Sequence, residues 1–106
     1  MEPAEVKFYD AGEAPSDEQL IHNLEHGDIW IAYHPRINEE VRGELKDFAA
    51  AKVIVTSREA NEFDISLVAW GRVDAFNLEV GLDDQRINDF ILRYINRGPE
   101  KIMPAR

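Results

Sequence analysis

Three apolar runs, and the unequal gaps between them, constrain this chain more than any other feature. The runs are Asp28–His34, Lys52–Ser57 and Ile65–Gly71. In the first, Ile29, Ile31 and Tyr33 alternate with Trp30, Ala32 and His34. Side chains on a strand alternate between faces, so both faces are largely apolar and the strand is expected to be buried on both. Pro35 has no N–H for a ladder and ends the strand near His34. The gap to the second run holds a helical pattern: Asn38 as N-cap, Glu39 and Glu40 in the first turn, and a stripe of Val41, Leu45, Phe48 and Ala49 through Ala51. Gly43 weakens that helix by about 1 kcal/mol relative to alanine unless a neighbour approaches closely there. Such a strand–helix–strand unit predicts a right-handed parallel crossover if its strands share a sheet. The second gap, Arg58–Asp64, is polar and predicts an antiparallel hairpin between the second and third runs. Arg72–Leu78 either extends the third run or forms a short edge strand. Trp70 is expected in the core; the alternative is that Trp70-Gly71-Arg72 lines a pocket.

Helices flank this unit. Ser16-Asp17-Glu18-Gln19 is a capping box of the form S-x-x-Q with two acids in the first turn, so a helix should run from Asp17 to His26 and stop at Gly27. Asp83 or Asp84 caps a last helix whose apolar face is Ile87, Phe90, Ile91, Tyr94 and Ile95. Arg93 and Arg97 complement its dipole, Gly98 is the C′ candidate and Pro99 stops it. Residues 1–15 read as an irregular arm ordered by packing of Val6, Phe8 and Tyr9. The order α-β-α-β-β-α predicts an α+β fold, a small mixed sheet of about three to four strands with packed helices. At 106 residues and 44% hydrophobic composition, the whole of 1–106 is expected to be a single domain with one modest core.

Composition excludes several functions. There is no apolar run long enough to insert in a membrane and no signal-peptide pattern. The absence of cysteine removes disulfides, thiolate metal sites and a cysteine nucleophile. The formal net charge is −9, of which residues 1–27 carry −6. That argues against a nucleic-acid partner, which needs a basic patch, and suits attraction of cations near the N-terminal helix.

That helix carries the candidate site, His22-Asn23-Leu24-Glu25-His26-Gly27. With Leu20 at zero on a helical wheel, Leu24 falls at about 40° and Ile21 at about 100°, the face expected to go to the core. His22 and His26 fall at about 200° and 240°, pointing away from it, with Glu25 at about 140° on the flank. Residues four apart are surface neighbours, with Cβ atoms about 5–6 Å apart, and two imidazoles at that spacing can hold one transition metal. The same letters spell H-x-x-E-H, in which two histidines hold zinc and the glutamate is a general base. Such a hydrolase needs a third ligand and a substrate cleft, for which the chain leaves little room. His34, at the far end of a strand over about 20 Å long, is a poor third ligand. A structural account competes: His26 in the last turn can interact with the terminal carbonyls and the dipole, and His22 can simply be solvated. Arg58, Arg72 and Arg86 could hold an anion, but no glycine-rich phosphate loop accompanies them. Glu39-Glu40 and Asp83-Asp84 sit at helix starts, where capping and the dipole account for them.

The stretch Glu18-Gln19-Leu20-Ile21-His22-Asn23-Leu24-Glu25-His26-Gly27 with the Ile-Trp-Ile strand after it resembles the bacterial domain-of-unknown-function 3105 family. Ala69-Trp70-Gly71-Arg72 and Ile95-Asn96-Arg97-Gly98-Pro99-Glu100 are similar to its later parts, so the resemblance spans roughly Tyr9–Glu100. It implies no assigned activity. It does imply an extracytoplasmic setting, periplasmic or cell-surface, with an N-terminal membrane anchor, and a preceding Pro-Pro-Thr-Ser-Gly-Pro-His segment with further histidines. Neither is among these 106 residues. If those histidines complete a metal site, His22 and His26 are part of one.

Three functions follow as expectations. The first is a non-catalytic, histidine-based domain for Zn²⁺ or Cu²⁺, with His22 and His26 as ligands and Glu25 as ligand or outer support. The second is a protein-interaction or structural module, with a protein partner or a second copy against the histidine helix. The third is a zinc hydrolase, resting on the spelling H-x-x-E-H alone. A non-enzymatic role is the better fit.

Overall fold

The computed structural model describes residues 4–10, 12–78 and 81–96. In chain order its elements are α1 (Asp17–Glu25), β1 (Ile29–Tyr33), α2 (Glu39–Lys46), β2 (Val53–Ser57), β3 (Ile65–Ala69), β4 (Arg72–Phe76) and α3 (Asp84–Tyr94). This is the expected small α+β fold, with Arg72–Phe76 a separate edge strand. The sheet is mixed, in the order β2-β1-β3-β4.

β1 and β2 pair in parallel, Ile29 opposite Val53 through Tyr33 opposite Ser57, so the crossover through α2 is parallel as predicted. The hairpin expected between β2 and β3 does not form. β3 instead pairs antiparallel with β1, Trp30 opposite Val68 and Tyr33 opposite Ile65, on the side of β1 away from β2. The link 58–64 is long enough to cross the end of β1, and hydrogen bonds hold it there. Arg58 N donates to Tyr33 O (2.8 Å), His34 N to Asp64 O (2.9 Å), and buried Asn61 Nδ2 to Ala32 O (3.0 Å). These bonds satisfy backbone groups that the strand end would otherwise leave unpaired. The tight hairpin joins β3 to β4 through Trp70-Gly71, with Ala69 opposite Arg72 and Gly71 at φ +78°.

Alternation along β1 divides the core between the two sheet faces. Ile29, Ile31 and Tyr33 join Val53, Val55, Ile65 and Leu67 under α2 and α3, which contribute Val41, Leu45, Ile87 and Phe90. Trp30, Ala32 and Ile54 join Leu20, Leu24 and Ala4 on the other face, and Trp30 Nε1 donates to the buried Thr56 hydroxyl (2.9 Å). That second face continues through Val68 to its partner Val73, which is 68% exposed.

The N-terminal arm packs as expected. Tyr9 N donates to Val55 O (2.7 Å) and Val55 N to Lys7 O (3.1 Å), so the arm adds a single bridge outside β2. Phe8 stacks on Tyr33 with ring centroids 5.8 Å apart, and Tyr33 Oη donates to Tyr9 O (2.8 Å). Burial, and then the charge of Asp10, push the Tyr33 phenol up to about 12, so it remains a donor.

Local signals held at most helix ends. Asn38 Oδ1 accepts from Val41 N (2.8 Å), and Asp83 Oδ1 from Arg86 N (3.1 Å), making Asp83 the cap and placing Asp84 in the first turn. α2 stops at Lys46 short of Ala51. Phe48 N and Ala49 N bond carbonyls three residues back, and the chain then reverses through Lys52 at φ +68°. Among the described residues no atom from outside the helix backbone lies within 4 Å of the place a Gly43 Cβ would take, so no close approach offsets its cost. Arg97, Gly98, Pro99 and Glu100 lie outside the described residues; α3 leads into Asn96 at φ +64°. Two core assignments are corrected. Ile21 is 47% exposed because the buried face of α1 is Leu20, Asn23 and Leu24, rotated away from it. Trp70 is 41% exposed because it sits at the hairpin tip.

Candidate functional site

The capping box forms at the start of α1: Gln19 N donates to Ser16 Oγ (3.2 Å) and Ser16 N to Gln19 Oε1 (3.3 Å). At the other end His26 is the C-cap, its N–H shared between the carbonyls of His22 (3.3 Å) and Asn23 (3.1 Å), and Gly27 follows at φ +90°. Fixing both ends sets the phase of the helix. His22 and His26 therefore lie side by side, ring centroids 4.8 Å apart and planes tilted by 31°, both half-buried. Glu25, also half-buried, precedes His26 on the same turn. The two imidazoles are thus brought together as expected.

Behind the histidines lies a hub that the sequence reading missed. Asn23 is buried, and its amide ties three segments together. Its Oδ1 accepts from Ala4 N (2.8 Å), and its Nδ2 is within donating distance of Ala4 O (3.0 Å) and Asp28 Oδ2 (2.9 Å). Its own carbonyl accepts from Asp28 N (3.0 Å). Asp28 in turn meets Lys52 Nζ at 3.4 Å, and that ammonium donates to His26 O (3.0 Å). Gly27 O accepts from Asn96 N (2.8 Å), and a Cβ at Gly27 would stand 2.7 Å from the Asn96 Cα. So the arm, α1, the turn into β2 and the end of α3 all meet at Asn23, Gly27 and Asp28. The wheel held the clue: Asn23 sits about 60° from Leu20, on the buried side.

His34 is not brought to the pair. It follows β1, while His26 precedes it, and a five-residue strand between them is about 16 Å long. Its Nδ1 accepts from Arg36 N (3.0 Å), closing a local turn. Among the described residues no group of three His, Asp or Glu side chains is placed to hold a metal. The nearest carboxylate along the chain after His26, Asp28, is already engaged by Asn23 and Lys52.

The arginines are also separated. Arg58 pairs with Asp17 (3.0 Å) and Arg86 with Asp74 (2.7 Å), whereas Arg72 lies over the Tyr94 ring at 5.9 Å. Trp70, Gly71 and Arg72 do line a pocket, an open groove of about 530 Å³ completed by Arg93 and Tyr94. Among the described residues no helix is long and apolar enough to cross a membrane.

No curated protein and no solved structure matches the chain. With the His-Asn-Leu-Glu-His-Gly turn explained and its neighbours in place, the match of residues 2–106 to the family described as "Protein of unknown function (DUF3105)" identifies the chain: it belongs to that family.

Proposed function

We propose that this is a non-catalytic domain, facing outside the cytoplasm, that takes Zn²⁺ or Cu²⁺ on His22 and His26. The observation that carries the reading is the imidazole pair, ring centroids 4.8 Å apart and both half-buried at the C-terminal end of α1. Neutral imidazoles suit both ions, and a chain without cysteine offers no thiolates to favour Cu⁺. Two nitrogens leave coordination positions open, for Glu25, water, or donors of a partner. The hub behind the helix supports the proposal, because a rigid backbone fixes the spacing of the two rings. The extracytoplasmic setting follows the family resemblance.

Calorimetric titration of each ion into the domain tests this, beside a His22→Ala, His26→Ala double variant. Both side chains are half-exposed and the capping contact of His26 is made by its backbone, so the variant is expected to fold, which circular dichroism checks. The expected result is micromolar binding, about −8 kcal/mol, abolished by the double substitution. Protons compete for the same nitrogens, so affinity falls in acid. Equal heats from the two proteins would remove the metal reading. A second reading, a protein contact on this helix, is favoured by Ile21, an exposed apolar residue beside His22; a Zn²⁺-independent partner lost on Ile21→Ser would support it.

A further inference from the structure

Of the six arginines among the described residues, three are committed to carboxylates and a fourth, Arg42, donates to the carbonyls of Pro35 and Ile37. Arg36 pairs with Asp64, Arg58 with Asp17 and Arg86 with Asp74. Among the described residues Arg72 and Arg93 have no ion-pair partner. They come from different elements, the first residue of β4 and the last turn of α3, and converge on the groove of about 530 Å³ lined by Trp70, Gly71 and Tyr94. No carboxylate is among those lining residues, so two positive charges face one opening in a chain of net charge −9. A neighbouring groove of about 600 Å³ shares Arg72, Arg93 and Tyr94 but is also lined by Asp74, Asp83 and Asp89, so the carboxylate-free lining is confined to the Trp70 corner.

The aromatic residues there are placed for a ligand. The hairpin turn, with Gly71 at φ +78°, leaves Trp70 41% exposed at its tip, whereas Trp30 is buried in the sheet. Tyr94 offers its ring beneath the Arg72 guanidinium. Guanidinium groups bind carboxylates as planar forks, and exposed rings cover the apolar body attached to such a group. The element that brings Arg93 and Tyr94 is the C-terminal end of α3, where the helix dipole is negative and no free N–H groups point outward. That end supplies no N–H cradle of the kind that holds phosphate at helix N-termini, so anion recognition rests on the two guanidinium forks, whose planar geometry matches a carboxylate.

We propose that the corner formed by Trp70, Arg72, Arg93 and Tyr94 binds a small carboxylate carried on an aromatic or apolar body. The site shares no residue with the histidine pair and stands whether or not that pair binds metal.

The probe is benzoate, titrated into the chain and followed by Trp70 fluorescence and by amide shifts in nuclear magnetic resonance. Benzyl alcohol supplies the ring without the charge, and inorganic phosphate the charge without the ring. Benzoate is expected to saturate at millimolar concentration and to bind more tightly than either control. An Arg72→Gln, Arg93→Gln double variant, both positions exposed, should fold normally by circular dichroism and weaken benzoate at least about tenfold. No saturation by benzoate, an undiminished affinity in the folded double variant, or benzyl alcohol binding as well as benzoate would each overturn the proposal. Phosphate binding more tightly than benzoate would overturn the choice of a carboxylate.

Discussion

At the start of β1 four segments of chain meet around one buried amide; at the tip of the β3–β4 hairpin two strands turn in solvent. The first region is closed. Asn23, Asp28 and Lys52 hold one another and the carbonyls around them, and Gly27 touches the backbone at the end of α3. The second is open. Trp70, Arg72 and Val73 are all exposed, and β4 has a strand on one side only. Both regions need a glycine in the left-handed region, Gly27 at φ +90° and Gly71 at φ +78°. Gly27, however, also needs the missing Cβ for close packing. A closed junction makes the geometry of the residues mounted on it, His22 and His26, hard to disturb. An open tip leaves side chains available to something outside the fold.

The two glycines give the strongest way to break that comparison. Gly27→Ala adds a left-handed alanine and a Cβ 2.7 Å from the Asn96 Cα, which backbone cannot easily yield. The expected loss is about 3 kcal/mol, measured by urea unfolding. Gly71→Ala meets no atom of the described residues within 4 Å beyond its chain neighbours and should cost only the strain of its left-handed backbone, about 1 kcal/mol. Equal losses would mean that the junction is no tighter than the hairpin.

Why some of this was readable and some was not follows from how far each signal reaches along the chain. The capping box at Ser16–Gln19, the caps Asn38 and Asp83, and the two apolar faces of β1 depend on residues within a few positions of one another. They were legible. So was the meeting of His22 with His26, one helical turn apart. The partner of β3 was not, because β1 and β2 both carry near-continuous apolar runs and either could accept it. The link 58–64 is held across the end of β1 by long-range bonds, among them that of the Asn61 amide to Ala32 O, between residues 29 positions apart. The role of Asn23 was hidden for the same reason, its partner Ala4 lying 19 residues away. The convergence of Arg72 with Arg93 likewise required the sheet order to be known.

The next test compares two asparagines. Asn23→Ala leaves the Ala4 N–H and the Asp28 carboxylate without their amide partner inside the fold, at an expected cost of about 2–3 kcal/mol. Asn77, near the end of β4, also accepts a backbone N–H, from Asp64 at 3.0 Å, but it is exposed. Water replaces that bond, so Asn77→Ala should cost about 0.5 kcal/mol. Unfolding midpoints of the two variants would show whether hydrogen bonds count for more at the junction.

The smallest effect concerns the ion pair at the open edge, and its dependence on pH has a definite sign. The hydrogen bonds from Arg86, outweighing partial burial, hold the Asp74 carboxyl below its ordinary value of 3.8. A carboxyl whose folded value is depressed stabilises the fold above its unfolded value and loses that contribution as the pH falls through the folded one. Asp74→Asn should therefore destabilise the protein near neutral pH and matter progressively less below about pH 4. With both partners a third or more exposed, water screens the pair, and the loss near neutrality should be about 0.5 kcal/mol, shrinking further in concentrated salt. Urea midpoints of wild type and variant, compared at neutral and acid pH, measure it. A loss above about 2 kcal/mol would place Asp74 and Arg86 among buried, cooperative contacts. The edge would then be as firmly built as the junction, and the contrast between a closed and an open region would fail.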